Sequence, residues 1–570
     1  MAATDARTLA NDLATRDDAA LARLFAARRV SPSASWADAF DAAEQLLDAA
    51  SIGRALTTLT ADEVAALEAA VGTGALPAGP ERERLHELAL VDDAGAVWDA
   101  VADALAQTPR VVPPASPERP PADPDAAAAE RAFAAVSALA DVLHETLAAP
   151  LSRIGAGSLG AADRRRLIEA GAVPDADAAD EIVDIAERAG LLSADGRTLL
   201  VTPAGVEWLR TGTLSRWAEV ATRLLDALPS GVRGRAGGWM PPTEWTGAYP
   251  YDPSWPAQAD ALAALLRRWA ITGPAGTPTA WSAPSASGGD LDLDALIALL
   301  PPEVDKVFLQ NDLTAIAPGS LAPHLDVRLR SMARRESRAQ ASSYRFTAET
   351  LADALTAGES AESLRAFLTE LSLTGLPQPL AYEIDRSASR HGALRVGPDG
   401  EARTRVTSDD PALLRTIAVD QALRPLGLIP DGEALITRSS PDTAFWMIAD
   451  ARYPVIAVDA DGERRTLDRH RLGTPPEPAP DPIDVYADLL ARLRAAQSGD
   501  ADAAWLGREL EQAVRARATL VVAVRLPDGT EREFTIEATG LGGGRLRGLD
   551  RNVDVERTLP VSSITRVARA

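Results

Sequence analysis

Three proline-rich breaks constrain this chain more than any other feature. Residues 108–127 read TPRVVPPASPERPPADPDAA, residues 272–289 are rich in Gly, Ser and Pro, and residues 475–482 read PPEPAPDP. Proline lacks the backbone N–H and fixes φ, so such stretches favour extended linkers over helix or sheet interior. At 570 residues the chain also exceeds what one core usually serves. The expected class is α+β and multidomain. The expected units are a helical/winged-helix unit at 1–107, a linker at 108–127, a winged helix at 128–212, and a helical region with a Trp-rich loop and linker at 213–290. An α/β domain at 305–474 and a small β-barrel-like domain at 483–570 complete the order.

Composition removes several chemistries. There is no cysteine, so disulfides, thiolate metal sites and cysteine nucleophiles are excluded. No Gly-Lys-Ser/Thr forms a phosphate loop and no Gly-x-Ser-x-Gly elbow occurs. The five histidines, His86, His144, His324, His391 and His470, have no metal-ligand spacing. No catalytic residue, cofactor or metal is expected, and the chain reads as non-catalytic. It shows no apolar leader and no membrane-length apolar run, so a cytoplasmic location and no membrane partner are expected. A net charge of −24 argues against a chain-wide grip on nucleic acid. Lys306 is the one lysine, so arginine supplies the positive charge.

Local signals place the elements. Thr60 and Glu63 form a capping box before VAALEAAV, and a second helix and the DDAGAV turn suggest a small winged helix. A long helix is expected near 127–148, then two helices ended by Gly171 and Gly190, then a hairpin turning at Asp195-Gly196. The helix before that hairpin carries Asp177, Asp180, Glu181, Asp184 and Glu187 against Arg188. Those carboxylates would repel phosphate, which favours protein packing over groove reading. Between 229 and 258, Trp239, Trp245, Tyr249, Tyr251 and Trp255 read as anchors of a long loop, with single-strand stacking as the alternative.

The stretch VFLQNDLTAIAPGSL, residues 307–321, reads as two strands around a polar tip, with Gln310 to Asp312 pinning the turn by Asx chemistry. Thr347 and Ser360 cap the next helices, the second with the apolar stripe Leu364, Phe367, Leu368 and Leu371. Leu376-Pro377 opens a third helix with Leu380 and Ile384, making a helix-turn-helix-like trio before a strand at 393–396.

The block LQNDLTAIAPG, SSYRFTAETLADALTAGESAESLRAFLTELSLTGLPQPLAYEI, HGALRV resembles the N-terminal domain of XPB-type helicases and bacterial helicase-associated proteins. The matching positions are Leu309, Gln310, Asp312, Thr314, Tyr344, Phe346, Thr347, Leu351, Ala354, Gly358, Leu368, Leu376, Pro377 and Gly392. The resemblance covers 305–400 and extends toward 470. It implies a module that works near DNA without motor lobes. Residues 483–570 resemble the β core of WYL domains, with RLRGLD standing where the Trp-Tyr-Leu signature belongs.

Candidate DNA-binding residues follow from charge. Arg328, Arg330, Arg334, Arg335, Arg338 and Arg345 cluster against Asp326 and Glu336, and Arg545, Arg547 and Arg551 offer a second set. A solvated or salt-bridged basic face, and a structural β unit, are the competing readings. Two functions are expected. One is a non-catalytic DNA-associated accessory or regulatory protein in repair or transcription. The other is a scaffold docking a helicase, nuclease or polymerase without touching DNA.

Overall fold

The computed structural model describes residues 3–112, 124–155, 157–234, 237–338, 341–400, 402–467, 470–475, 479–496, 501–526 and 530–569. Among these, no helix is long and apolar enough to cross a membrane.

Seven helices form the first unit: α1 (Ala3–Thr15), α2 (Asp18–Ala27), α3 (Ala39–Leu46), α4 (Ala49–Leu56), α5 (Ala61–Thr73), α6 (Pro80–Glu87) and α7 (Asp99–Gln107). Asp17, Asp38 and Asp48 cap α2 to α4 through their carboxylates, and Thr60 with Glu63 makes the expected capping box on α5. No wing follows. A lone bridge, Val91 to Val97, closes a turn held by Asp92, whose carboxylate accepts from the Ala96 N–H. At the centre lies Arg28, 1% exposed, donating to the carbonyls of Leu88 and Leu46 and to Ser51 Oγ. Burial lowers its pKa to about 10, so it stays charged and held by neutral acceptors.

The second unit begins with α8 (Asp125–Ala148), β1 (Leu151–Ile154), β2 (Ser158–Leu159), α9 (Ala161–Glu169), α10 (Ala176–Arg188), β3 (Leu192–Asp195) and β4 (Thr198–Val201). Its antiparallel sheet has the order β2-β1-β4-β3. Gly171 and Gly190, at φ +69° and +68°, stop α9 and α10 as expected. The hairpin turn falls one residue later than expected, on Gly196-Arg197, because Asp195 pairs with Thr198.

The chain continues through α11 (Pro203–Trp208), α12 (Thr213–Asp226), α13 (Trp255–Arg268), α14 (Ala283–Ala286) and α15 (Leu293–Ile297). The boundary expected at 212 disappears, for one core runs from Ala128 to Leu296. Trp217 and Trp269 donate their indole N–H groups to each other's carbonyls at 2.7 and 3.0 Å. Residues 272–289 are packed rather than linking. Trp281 is fully buried there and donates to the Ala270 carbonyl at 3.0 Å, and burying so large a ring outweighs the backbone's preference for a loose linker.

The third region holds β5 (Glu303–Val304), β6 (Phe308–Leu309), β7 (Thr314–Ala317), β8 (Ser320–Leu321), α16 (Pro323–Arg330), β9 (Arg334–Arg338), β10 (Ser342–Arg345), α17 (Ala348–Thr356), α18 (Ala361–Leu371) and α19 (Gln378–Arg390). A sheet of order β6-β7-β10-β9 backs the three-helix trio. Next come β11 (Leu394–Pro398), β12 (Thr404–Thr407), α20 (Pro411–Val419), β13 (Ile429–Asp431), β14 (Ala434–Thr437), α21 (Pro441–Asp450), β15 (Val455–Val458) and β16 (Arg464–Arg465). Their sheet, β13-β14-β12-β11-β15-β16, contains one parallel pair, β11 with β15. The span expected as one domain therefore has two cores, 307–388 and 394–467.

The last region comprises α22 (Pro482–Ala495), α23 (Ala501–Ala516), β17 (Thr519–Arg525), β18 (Glu531–Gly542), β19 (Arg545–Asp550), β20 (Val555–Pro560) and β21 (Ile564–Arg569). The expected barrel is an open sheet of order β20-β19-β18-β17-β21. It curls until Val561–Ser563 alone joins its two edge strands, yet no ladder between them closes it. Gly543 and Gly544 form the β18–β19 turn, both at positive φ, and Asp528-Gly529, a two-residue turn by its sequence, lies outside the described residues.

Candidate functional site

The polar tip at 310–312 is a turn lock. Asp312 Oδ1 accepts from the Thr314 N–H at 3.2 Å and from the Thr314 hydroxyl, and the Gln310 N–H donates to the Thr314 carbonyl at 2.8 Å. Leu313 is thereby held at φ +64°, a region that L side chains seldom adopt. The lock sets β7 beside β10, where Ala315 faces Tyr344.

Tyr344 leads to the basic cluster, which is split among α16, β9 and β10. Arg328 makes a two-point contact with Glu359 at 2.9 and 3.1 Å and lies over the Phe367 ring. Burial would raise the Glu359 carboxyl, but Arg328 and Ser363 outweigh it and hold it below the ordinary value. Arg345 pairs with Glu336 at 2.6 Å. Arg330 reaches Asp141 of α8 at 2.6 Å and Asp326 at 2.8 Å, and Arg335 binds the other oxygen of Asp141. Arg334 is exposed, with no hydrogen bond or ion pair among the described residues. The side chain of Arg338 lies outside the described residues.

Asp141, Arg330, Arg335 and Asp326 thus form a four-charge joint, buried at Asp141 and half-buried at the other three, between the second unit and the third region. Tyr344 donates its hydroxyl to Asp326 at 2.6 Å, and both burial and that carboxylate push its pKa up. Burial works against the Arg330 charge, but Asp326 and Asp141 overcome it and raise its pKa. Beside them His144 is half-buried with its Nε2 shut off from solvent, and desolvation with Arg330 nearby lowers its pKa to about 3, so it is neutral. Glu303 extends the joint by accepting from the Thr213 N–H at 2.7 Å. Two carboxylates against two guanidiniums balance, which is how buried charge is tolerated.

The remaining candidates are dispersed. Arg545 and Arg547 are exposed on the outer face of β19, and Arg551 pairs with Glu537. On α10, Asp180, Asp184, Glu181 and Glu187 pair with Arg164, Arg188, Arg268 and Arg153. Arg268 belongs to α13, so α10 is held within its own unit. In the 229–258 loop, Trp239, Trp245, Tyr251 and Trp255 are at most 6% exposed, and Tyr249 is half-buried. Trp245 and Trp255 donate to the carbonyls of Met240 and Trp245, so these rings anchor the loop. No group of three His, Asp or Glu among the described residues is placed to hold a metal ion.

Sequence reasoning passed over Asp141 and weighed His144 only as a metal ligand. Their signal is visible in ALADVLHE, where an aspartate interrupts a run whose neighbours Leu139, Ala140, Val142 and Leu143 are all buried. A carboxylate in that position requires a partner.

Residues 307–430 match the family described as helicase conserved C-terminal domain. The match begins in the turn-lock segment and ends in β13, taking in the arginine cluster and the helical trio, so this part of the chain is helicase-related. Among curated proteins no match to the chain is found.

Proposed function

We propose that this chain is a non-catalytic, helicase-associated scaffold that docks a helicase, nuclease or polymerase. One observation carries it. The cluster expected to grip DNA is largely occupied by the chain's own carboxylates, with Arg330 and Arg335 joining the third region to α8 through Asp141. Their use in a rigid joint suits a platform. The absence of a phosphate loop from the sequence supports a role without its own motor. On this reading 305–400 is the XPB-N-terminal-like module, 128–212 is a winged helix given to protein packing, and 483–570 is a WYL-like unit without its ligand signature.

Charge reversal of Arg330 and Arg335 tests it. The double variant is expected to melt at lower temperature, and proteolysis should open the connection between α15 and β5. The ratio of DNA bound to folded protein should not change. Full thermal stability with lost DNA affinity would make the cluster a DNA grip and sink the scaffold reading. The DNA-associated reading is favoured by a separate observation, the exposed and unpaired Arg334, Arg545 and Arg547.

A further inference from the structure

The third helix of the trio has an outer face that the joint does not use. α19 buries Leu380, Ile384 and Ser387 against α17 and α18. At 100° per residue its opposite arc carries Gln378, Pro379, Tyr382, Arg386, Ser389 and Arg390, with Asp385 at one rim and the half-buried Glu383 beyond the other, and the first six and Asp385 are exposed. Tyr382 stands at the crest, 67% exposed. We propose that this row on α19 is a surface that enters the major groove of double-stranded DNA, independently of the scaffold role.

The side-chain chemistry selects the occupant. A helix that docks a partner protein needs an aliphatic row, and the outer arc of α19 has none; Tyr382 is its one large apolar side chain. Arginine and glutamine are the side chains that make two-point contacts with guanine and adenine edges in the major groove, and a tyrosine hydroxyl contacts phosphate. The row from Gln378 to Arg390 spans about 18 Å of helix, a length that lies along a groove wide enough to admit it.

Charge permits the approach. Unlike Arg328, Arg330, Arg335 and Arg345, the Arg390 guanidinium has no hydrogen bond or ion pair among the described residues, and Arg386 makes one 3.4 Å contact with Glu383. The rim carboxylate Asp385 is engaged by Arg365 of α18. Residues 1–300 hold 42 acidic side chains against 24 basic ones, whereas residues 301–570 hold 40 against 34. α19 therefore sits in the half of the chain that repels phosphate least.

The experiment is fluorescence anisotropy of a labelled mixed-sequence duplex titrated with the full chain, from about 50 to about 200 mM salt. Three proteins are compared: wild type, the combined variant Tyr382→Ala, Arg386→Glu, Arg390→Glu, and a control, Arg415→Glu with Arg424→Glu, two exposed arginines outside every candidate set. All altered side chains are exposed, and a melting curve for each protein checks that it folds. Wild type should bind with affinity that falls as salt rises. The α19 variant should bind at least about tenfold more weakly at an unchanged melting temperature. The control should bind as wild type does. Absence of wild-type binding at the lowest salt overturns the proposal and leaves α19 as a protein-facing helix. Undiminished binding by the α19 variant also overturns it, as does loss confined to the Arg415 and Arg424 control. Neither result bears on the joint at Asp141, which the Arg330 and Arg335 variants test by stability.

Discussion

Asp141 shows how one side chain can decide what a distant cluster does. Its two oxygens each receive an arginine from the third region, and it is 3% exposed. Asp141→Ala would leave Arg335 without a carboxylate and Arg330 with Asp326 alone, a loss on the order of 3 kcal/mol, read as a lower midpoint in denaturant. His144 supplies a pH signature. Its folded pKa, about 3, lies below the ordinary 6.5, so the unfolded chain binds the proton first and stability is lost as pH falls below about 6.5. His391, lowered to about 4 by burial and Arg464, acts in the same sense. In His144→Leu the melting temperature should fall less steeply between about pH 6.5 and 4. Asp5 works oppositely. Burial and Asp99 raise its pKa to about 6, so the stability of its neutral form is complete below 3.8 and lost as pH rises through 6. Asp5→Asn keeps the acceptor for the Asp99 N–H and should raise the melting temperature at pH above about 6, with little change below 4. An unchanged profile would mean that Asp99 does not oppose the Asp5 charge.

At the scale of elements, caps and stops were the most legible features. The Thr60–Glu63 box, the Thr347 and Ser360 caps and the glycines after α9 and α10 all stand where expected, because each depends on groups within about four residues. Thr60→Ala should cost about 1 kcal/mol, measured by chemical denaturation. Residues 470–474 were less legible. They run back over the β3–β4 hairpin as a strap, with the Gly473 N–H donating to the Val201 carbonyl at 2.8 Å and Arg471 paired with Asp195. A Cβ on Gly473 would stand 2.2 Å from Ser193 Oγ and 3.1 Å from Leu200 Cβ. Gly473→Val should therefore lift the strap, and faster amide exchange at residue 473 would report it. Exchange equal to wild type would show that the hairpin shifts to accommodate the side chain.

Across the whole molecule the two ends of the chain meet. α22 lies against α2, where Tyr486 packs edge-on to Phe25 and donates its hydroxyl to the Val30 carbonyl at 2.7 Å. Arg494 binds Asp18, and Arg508 of α23 binds Asp38 and Asp41. The first unit and the α22 side chains share one core, in which Tyr486, Leu489, Leu490 and Leu493 are each at most 5% exposed. Tyr486→Ala should destabilise this closure by roughly 3 kcal/mol and increase binding of an apolar dye. A melting curve unchanged by the substitution would show that α22 contributes little to holding the ends together.

By itself the sequence determined where the capped helices begin, which glycines stop them, how the 310–314 turn closes and that residues 307–430 are helicase-related. These follow from backbone chemistry and from contacts between near neighbours. Only the tertiary structure decided what the arginines do. Arg330 and Asp141 are 189 residues apart, and no periodicity specifies which faces of two units will meet. The same holds for residues 272–289, where composition favours a linker but the burial of Trp281 prevails. A charge cluster read along the chain reports the cations alone, and their effect depends on carboxylates that folding brings from elsewhere.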